Sequence, residues 1–219
     1  MNLSPPLYLI GFTGQAGAGK DSSAQALVRH GYKTIAFADA VRAELAQAFR
    51  LDVGLFTDRR TKELPLPSLA IGQACDPSFL HWAVFVGHSL HEPRSPRWLM
   101  QQWGTEFRRR QDPDYWVRIV EHWVRRQVSM HFRKLAVTDV RMPNEAAMIH
   151  ELGGKILQVH NPDLPTLDED TAGHESERHQ LPVDGVIHND GTLDALAREV
   201  ERVVFHVCGA AALSGCPHG

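Results

Sequence analysis

Short apolar runs alternate along the chain with longer segments whose apolar residues recur at helical spacing. A short apolar run bounded by turn residues is typical of a buried strand, whereas an apolar stripe at three- and four-residue spacing favours an amphipathic helix. Strands that alternate with helices indicate a parallel sheet covered by helices on both faces. We predict strands at 7–12, 33–38, 135–140, 155–159 and 185–188, and helices at 40–50, 96–110, 114–130, 144–152 and 192–207.

Two segments interrupt this alternation, and a third follows it. Residues 51–97 are rich in Pro, Gly, His and Trp and lose the periodicity, so we interpret them as an insertion on the sheet. Residues 161–181 are polar, acidic and proline-containing and lie between two predicted strands, where a lid-like loop is expected. Residues 209–219 are predicted to form a flexible tail. The chain is therefore expected to hold a single domain, residues 1–208, with one insertion and one lid-like segment.

Composition narrows the class of protein. The chain has 219 residues, of which 43% are hydrophobic, and a formal net charge of −3, which argues against a surface devoted to nucleic acid or acidic membrane. No apolar run is long enough to span a bilayer, and the first residues show no secretory signal pattern. Because Cys75, Cys208 and Cys216 form no close pair in sequence, a disulfide framework is not indicated and a reducing cytoplasm is favoured.

The segment after the first predicted strand fits a phosphate-binding loop. Residues 14–20, GQAGAGK, match the pattern G-x-x-x-x-G-K, with a strand directly before them and a helical segment directly after. In such a loop backbone N–H groups surround the phosphates, the lysine reaches the β and γ oxygens, and glycine permits the close approach. We predict that ATP is bound by Gly14, Ala16, Gly17, Ala18, Gly19 and Lys20.

The residue after the lysine departs from the usual Ser or Thr. It is Asp21, followed by Ser22. Carboxylate and hydroxyl oxygens are hard ligands, so either side chain can serve Mg²⁺, and Ser22 can also reach the α-phosphate. Asp139 ends the third predicted strand, where P-loop proteins hold an acidic group beside the metal, although a strand-ending Asp is also a common turn former. We therefore predict that Asp21, Ser22 and Asp139 hold Mg²⁺.

Arginines and aromatic residues lie together at two further places. Arg141 follows Asp139 by two residues, and the arginines at 108–110 follow Trp103 and its neighbours. Guanidinium groups bind phosphate bidentately, and an aromatic ring can stack on a base. Adjacent arginines on a helix point in different directions, so we expect one of these three to be a ligand and two to be solvated.

Seven segments, in order along the chain, carry a likeness to a known family. They are GFTGQAGAGKD (11–21), FAD (37–39), WGTEFRR (103–109), YWV (115–117), TDVRMPNE (138–145), HESE (174–177) and NDGTL (189–193). With these segments the sequence resembles the phage-type deoxynucleoside monophosphate kinases, among the P-loop kinases related to adenylate and thymidylate kinases. The resemblance implies an α/β P-loop NTPase fold: a three-layer sandwich whose five-stranded parallel sheet is flanked by helices, with an acceptor-binding insertion and a lid.

The resemblance also implies an activity and roles for particular residues. The activity is transfer of the γ-phosphoryl group of ATP, with Mg²⁺, to a (deoxy)nucleoside 5′-monophosphate. Asn189 would join the loop in binding ATP by facing the adenine. A plain Asn-Asp-Gly turn explains the presence of this residue equally well. The implied catalytic residues are Lys20, Asp139 and Arg141, and the implied acceptor pocket comprises Asp39, Arg42, Trp103, Thr105, Glu106 and Arg109.

Two alternatives stay open at this point. One is a P-loop kinase with another phosphorylated acceptor, such as phosphomevalonate or dephospho-coenzyme A. The other is a regulatory module in which ATP is a conformational signal. The expected partners are small nucleotides and neither nucleic acid nor membrane, a homodimer is left open, and the location is the cytoplasm, or the host cytoplasm if the chain is phage-encoded.

Overall fold

A computed structural model describes residues 6–58, 60–165 and 181–214 of the chain. Within these residues five strands form one sheet in the order β2-β3-β1-β4-β5, and all neighbouring strands are parallel. The strands are β1 (Tyr8–Thr13), β2 (Lys33–Ile35), β3 (Lys134–Val137), β4 (Lys155–His160) and β5 (Gly185–His188). The predicted parallel sheet is confirmed. Strand β2 is shorter than predicted because a helix begins at Phe37.

The described helices follow the predicted alternation. They are α1 (Lys20–Val28), α2 (Phe37–Phe49), α3 (Pro77–Phe85), α4 (Pro96–Gln101), α5 (Tyr115–Ser129), α6 (Pro143–Glu151) and α7 (Leu193–Cys208). The chain forms two compact units, and the single domain expected for residues 1–208 stays a prediction. Unit 1 comprises Met1–Phe37 and Val120–Gly219 and holds the sheet, and unit 2 comprises Ala38–Ile119. The predicted insertion 51–97 lies inside unit 2, which extends beyond it at both ends.

Helices cover both faces of the sheet in unit 1. Successive side chains of a strand point to opposite faces. On one face, Ile10 of β1 belongs to a buried cluster with Leu27 of α1 and Val200 of α7. On the other face, a Cβ placed on Gly11 would lie 2.7 Å from Cδ1 of Ile149 in α6. The three-layer arrangement predicted for the fold is therefore confirmed, and Gly11 allows α6 to pack close to the sheet.

The last described residues belong to the packed structure of unit 1. Ala212 is fully buried in the core, and a short 3₁₀ helix spans Ala210–Ala212. The carbonyl oxygen of Leu213 accepts a hydrogen bond from Nδ1 of His30 (2.7 Å), and Nζ of Lys134 donates to the carbonyl oxygen of Ser214. The flexible tail predicted to begin at residue 209 is thus wrong for residues 209–214, and residues 215–219 lie outside the described part of the chain.

Unit 2 differs from the sequence prediction at two helices. Helix α3 was not predicted, because its apolar residues occupy several faces and leave no stripe, yet Asp76 caps it by accepting hydrogen bonds from the backbone N–H groups of Ser78 and Phe79 (2.9 and 3.0 Å). The single helix predicted at 96–110 is instead α4 followed by a π-helix, Gln102–Arg109. In this π-helical segment the N–H of Arg110 donates to the carbonyl oxygen of Thr105, five residues earlier.

Candidate active site

The glycines of the loop between β1 and α1 are required by its backbone. Gly14, Gly17 and Gly19 have φ angles of +134°, +84° and +105°, in the left-handed region that residues with a Cβ rarely adopt. A Cβ on Gly14 would lie 2.3 Å from the carbonyl oxygen of Val159, and one on Gly19 would lie 2.5 Å from Nδ2 of Asn189. The loop therefore has the tight backbone that a phosphate-binding loop needs.

Lys20 begins α1 and lies against this loop. Its side chain is buried, and Nζ donates hydrogen bonds to the carbonyl oxygens of Gly14 (2.7 Å) and Gln15 (2.9 Å). The N-terminus of α1, which follows Gly19, adds backbone N–H groups and the positive end of the helix dipole. The loop thus places a cation and a helix N-terminus at one point, which is the chemistry that binds phosphate.

The three residues after Lys20 differ in exposure. Asp21 and Ser22 are exposed in the first turn of α1, as a ligand role for either requires. Ser23 is fully buried, and its hydroxyl has no hydrogen-bond partner among the described residues. The metal role of Asp21 and Ser22 stays a prediction.

Asp139 lies at the carboxyl edge of the sheet beside the strand that leads into the loop. The backbone N–H of Val140 donates to the carbonyl oxygen of Phe12 in β1 (2.9 Å). Oδ1 of Asp139 accepts a hydrogen bond from the backbone N–H of Phe37, the first residue of α2 (2.6 Å). Asp139 therefore caps a helix at this edge, a structural contact that the sequence did not reveal.

Arg141 is held by its backbone and not by its guanidinium group. Oε2 of Glu145 accepts hydrogen bonds from the backbone N–H groups of Arg141 (2.8 Å) and Met142 (3.0 Å) at the start of α6. The Arg141 side chain is exposed and makes no hydrogen bond or ion pair within the described ranges. Glu145, 1% exposed, was missed as a positioning residue, although Glu at the third position of a helix is a known capping signal.

Asn189 contacts the phosphate loop itself. Its Nδ2 donates to the carbonyl oxygen of Ala18 (2.8 Å), and its backbone N–H donates to the carbonyl oxygen of His160 at the end of β4 (2.8 Å). This contact ties the loop to the end of β5. The predicted contact of Asn189 with the adenine of ATP stays a prediction.

The beginning of the predicted lid also reaches the loop. Nε2 of Gln15 donates to the carbonyl oxygen of Pro165 (2.9 Å), and Cδ2 of Leu164 would lie 3.7 Å from a Cβ on Gly17. The rest of the predicted lid, residues 166–180, lies outside the described residues.

Unit 2 holds the residues predicted to bind the acceptor. Asp39 and Arg42 pair in the first turns of α2, with 2.6 Å between Oδ1 and NH1. In the π-helix Thr105 is exposed, Arg109 is half-buried, and Glu106 pairs with the exposed Arg110 at 3.0 Å. Their role in acceptor binding stays a prediction.

Two predictions were wrong: that Trp103 stacks on a base and that Arg108 is a solvated neighbour. Trp103 is only 1% exposed, packed against Phe79 and Phe107, so it has no free ring face for a base and the predicted stacking is wrong. Arg108 is also not a solvated neighbour, because it pairs with Glu44 (3.1 Å) and Asp76 (3.2 Å).

Glu44 is the residue of unit 2 that the sequence analysis missed. It accepts hydrogen bonds from Nε1 of Trp103 (2.8 Å), Nε of Arg108 (3.1 Å) and the hydroxyl of Tyr115. A signal was present, since Glu44 lies three residues after Val41 and so falls on the buried side of α2. A carboxylate on an apolar stripe indicates a buried partner.

Comparison with known proteins places the chain in a family. The sequence profile of the family described as Deoxynucleotide monophosphate kinase matches residues 82–200, more than half of the chain. A protein of Acanthamoeba polyphaga mimivirus, provisionally described as a deoxynucleotide monophosphate kinase, is 25% identical over 210 residues, which cover 89% of this chain and 94% of that protein.

Two solved structures are also similar. One is a sugar kinase from Janibacter sp. HTCC2649, at 12% identity and a TM-score of 0.47, covering 94% of this chain and 99% of that one. The other is the dephospho-CoA kinase from Campylobacter jejuni, at 15% identity and a TM-score of 0.47, covering 92% of this chain and 98% of that one.

Among the described helices, none combines the length and the apolar character that a membrane crossing requires.

The glycine-dependent loop with its buried lysine, the acidic group at the neighbouring strand end and the family match agree with one another. The chain belongs to the deoxynucleotide monophosphate kinase family.

Proposed function

We propose that this chain transfers the γ-phosphoryl group of ATP to a deoxynucleoside 5′-monophosphate, which gives ADP and the deoxynucleoside diphosphate. An oxygen of the acceptor phosphate forms a bond to the γ-phosphorus while the bond to the β,γ-bridging oxygen breaks, and the electron pair leaves with ADP. The observation that carries this proposal is the loop of residues 14–20, whose backbone requires glycine and whose lysine lies against it. Membership of the family supports the class of acceptor.

Lys20 and the loop amides would hold the transferring group. Nζ of Lys20 now donates to two neutral carbonyl oxygens. Charged phosphate oxygens are stronger acceptors, so the ammonium group would exchange these carbonyls for β- and γ-phosphate oxygens when ATP binds. Because the acceptor phosphate is already anionic, no general base is needed, and the residues act by alignment and by charge neutralisation.

The donor set near the loop fits Mg²⁺. Asp21, Ser22 and Asp139 supply two carboxylates and a hydroxyl, the hard oxygen ligands that this ion prefers. No group of three or more His, Cys, Asp or Glu side chains in the described ranges is arranged to hold a metal by itself. In nucleotide sites Mg²⁺ also takes ligands from phosphates and water. When bound, Mg²⁺ would neutralise charge on the β- and γ-phosphates.

Arginines would complete the charge neutralisation and the recognition of the acceptor. Arg141 has an exposed guanidinium on a fixed backbone, two residues from Asp139, and we assign it to the transferring phosphate. In unit 2 we assign acceptor binding to Asp39, Arg42, Thr105, Glu106 and Arg109.

The test measures ADP release from ATP and Mg²⁺ in the presence of dAMP, dGMP, dCMP, dTMP and their ribose counterparts. We expect strong stimulation by one or a few of the deoxynucleotides. Lys20→Ala should abolish it while the protein stays folded at the assay temperature. Lys155→Ala is the matched control, because Lys155 lies at the amino end of β4, where it pairs with Asp184. ATP binding without stimulation by any monophosphate would contradict the proposal and direct the search to other phosphorylated acceptors.

A further inference from the structure

The segment that resembles the family's WGTE motif adopts a rare conformation. Residues Gln102–Arg109 form a π-helix, a conformation found for well under 1% of residues in globular proteins. π-helical turns occur frequently at functional sites. Because the wider helix is intrinsically unfavourable, contacts from elsewhere in unit 2 must stabilise it.

Glu44 supplies such a contact by binding two residues of the π-helix with one oxygen. Oε2 accepts a hydrogen bond from Nε1 of Trp103 at 2.8 Å and from Nε of Arg108 at 3.1 Å. These residues are five apart. In an α-helix of 3.6 residues per turn they would point about 140° apart around the axis, whereas the wider helix with i to i+5 hydrogen bonds turns less per residue, so they lie closer to one side. The shared oxygen therefore favours the π-helix over the α-helix.

Further contacts fix Glu44 and Arg108 in place. The hydroxyl of Tyr115 donates to Oε1 of Glu44, and NH2 of Arg108 donates to Oδ2 of Asp76 at 3.2 Å. Burial, followed by the hydrogen bond to Glu44, raises the pKa of Tyr115 to about 12, so its hydroxyl stays protonated and donates. The Arg108 guanidinium also lies over the ring of Trp103, with 5.1 Å to the ring centroid. We call Glu44, Asp76, Trp103, Arg108 and Tyr115 the Glu44 network.

The same geometry decides which side chains face outward. Trp103 and Phe107 are each 1% exposed, whereas Thr105 is exposed and Arg109 half-buried. Thr105 and Arg109 are four apart and therefore lie on the same side of either helix, since four residues of an α-helix turn about 40° beyond one full turn. The wider π-helix turns less per residue, so it changes the angle between the two side chains.

We infer that Glu44 is a positioning residue for the acceptor: through Trp103 and Arg108 it maintains the π-helix, which sets the angle between the side chains of Thr105 and Arg109. The inference rests on the proposed function, in which these two residues bind the acceptor monophosphate. Glu44 itself touches neither substrate.

The test compares the kinetics of three conservative variants with the wild type, using the best monophosphate from the acceptor panel. Glu44→Gln keeps the shape of the side chain and removes the charge that Arg108 pairs with. Trp103→Phe keeps an aromatic ring in the core and removes the indole N–H, together with part of the ring volume. Glu121→Gln is the matched control, since Glu121 forms an i, i+4 ion pair with Arg125 on α5.

Glu44→Gln should raise KM for the monophosphate about tenfold, because a hydrogen bond to a charged group contributes roughly that factor. Trp103→Phe should raise it in the same direction, and neither variant should change KM for ATP. Glu121→Gln should match the wild type. Faster amide hydrogen exchange of residues 102–109 in Glu44→Gln should accompany the change, while the melting temperature stays above the assay temperature.

Three results would overturn the positioning role of Glu44. An active wild type whose Glu44→Gln variant keeps its KM for the monophosphate overturns the positioning role and leaves the proposed function intact. A variant that raises both KM values together shows a general structural role and also overturns it. A wild-type protein that phosphorylates no monophosphate refutes the proposed function, and the role of Glu44 falls with it.

Discussion

Gly14→Ala tests whether the phosphate loop depends on glycine as the structure indicates. Gly14 has a φ of +134°, and a Cβ there would lie 2.3 Å from the carbonyl oxygen of Val159. A residue with a Cβ pays roughly 1–2 kcal/mol for left-handed backbone. The clash adds a comparable cost, because Val159 belongs to β4 and its carbonyl cannot rotate away like a flexible side chain. We expect a loss of about 2–4 kcal/mol in the free energy of unfolding.

Gly153→Ala separates the two contributions. Gly153, which follows α6, also has a positive φ of +78°, but a Cβ there would meet nothing within 4 Å among the described residues. Only the backbone strain applies, so we expect a loss of roughly 1–2 kcal/mol and normal phosphoryl transfer.

The assay is urea unfolding of both variants, followed by circular dichroism, together with KM for ATP. Gly14→Ala should be the less stable of the two and should lose ATP-dependent activity, because the displaced loop no longer surrounds the phosphates. Equal stability of the two variants, with unchanged KM for ATP in Gly14→Ala, would refute the geometric reasoning.

Three further predictions concern other contacts of unit 1. Asp139→Asn should keep the melting temperature, because the amide oxygen can still accept a hydrogen bond from the N–H of Phe37. It should lose phosphoryl-transfer activity, because the negative charge is gone. An active Asn variant would show that Asp139 is only a helix cap. Asn189→Asp should weaken ATP binding, measured by calorimetry, more than Asn189→Ala, since a carboxylate oxygen would face the Ala18 carbonyl; the reverse order would contradict a positioning role. The hydrogen bond from His30, and then that from Arg29, hold the pKa of Glu201 below its ordinary value. Because its folded pKa is lowered, Glu201 stabilises the protein above its unfolded pKa, and this stability is lost as the pH falls below about 4.3 through the folded pKa. Unfolding in urea across this range should show a shallower acid loss in Glu201→Gln, and identical slopes would contradict the contact.

The sheet and the phosphate loop could be predicted because their signals are local. Five apolar runs correspond to the five described strands, and the spacing of Gly14, Gly19 and Lys20 defines the loop without knowledge of any distant residue. Asp139 could be found in the same way, since it follows a buried strand directly. Its hydrogen bond to Phe37 could not, because that contact joins residues 102 positions apart.

The errors in unit 2 share a physical cause. Trp103 has the chemistry of a base-stacking residue, and only its contacts with Phe79 and Phe107 show that it is a core residue instead. The π-helix leaves almost the same spacing in the sequence as an α-helix, and it depends on Glu44, which lies 59 positions before Trp103. The place of Glu44 on the buried side of α2 indicates that it has a buried partner, but nothing local identifies that partner as Trp103.

The prediction of a flexible C-terminal tail was wrong for a different reason. Residues 209–214 form a short segment of mostly small residues without periodicity, which resembles a frayed chain end. Burial of Ala212 and the bonds from His30 and Lys134 make the segment part of the core.

The most direct test of the central claim follows the phosphoryl group itself. The wild-type protein is incubated with ATP labelled on the γ-phosphate, Mg²⁺ and each deoxynucleoside monophosphate, and the products are separated by chromatography. We predict that the label appears in the diphosphate of at least one acceptor, and that Lys20→Ala transfers none. Label that stays in ATP with every acceptor, or that is released only as inorganic phosphate, would contradict the claim.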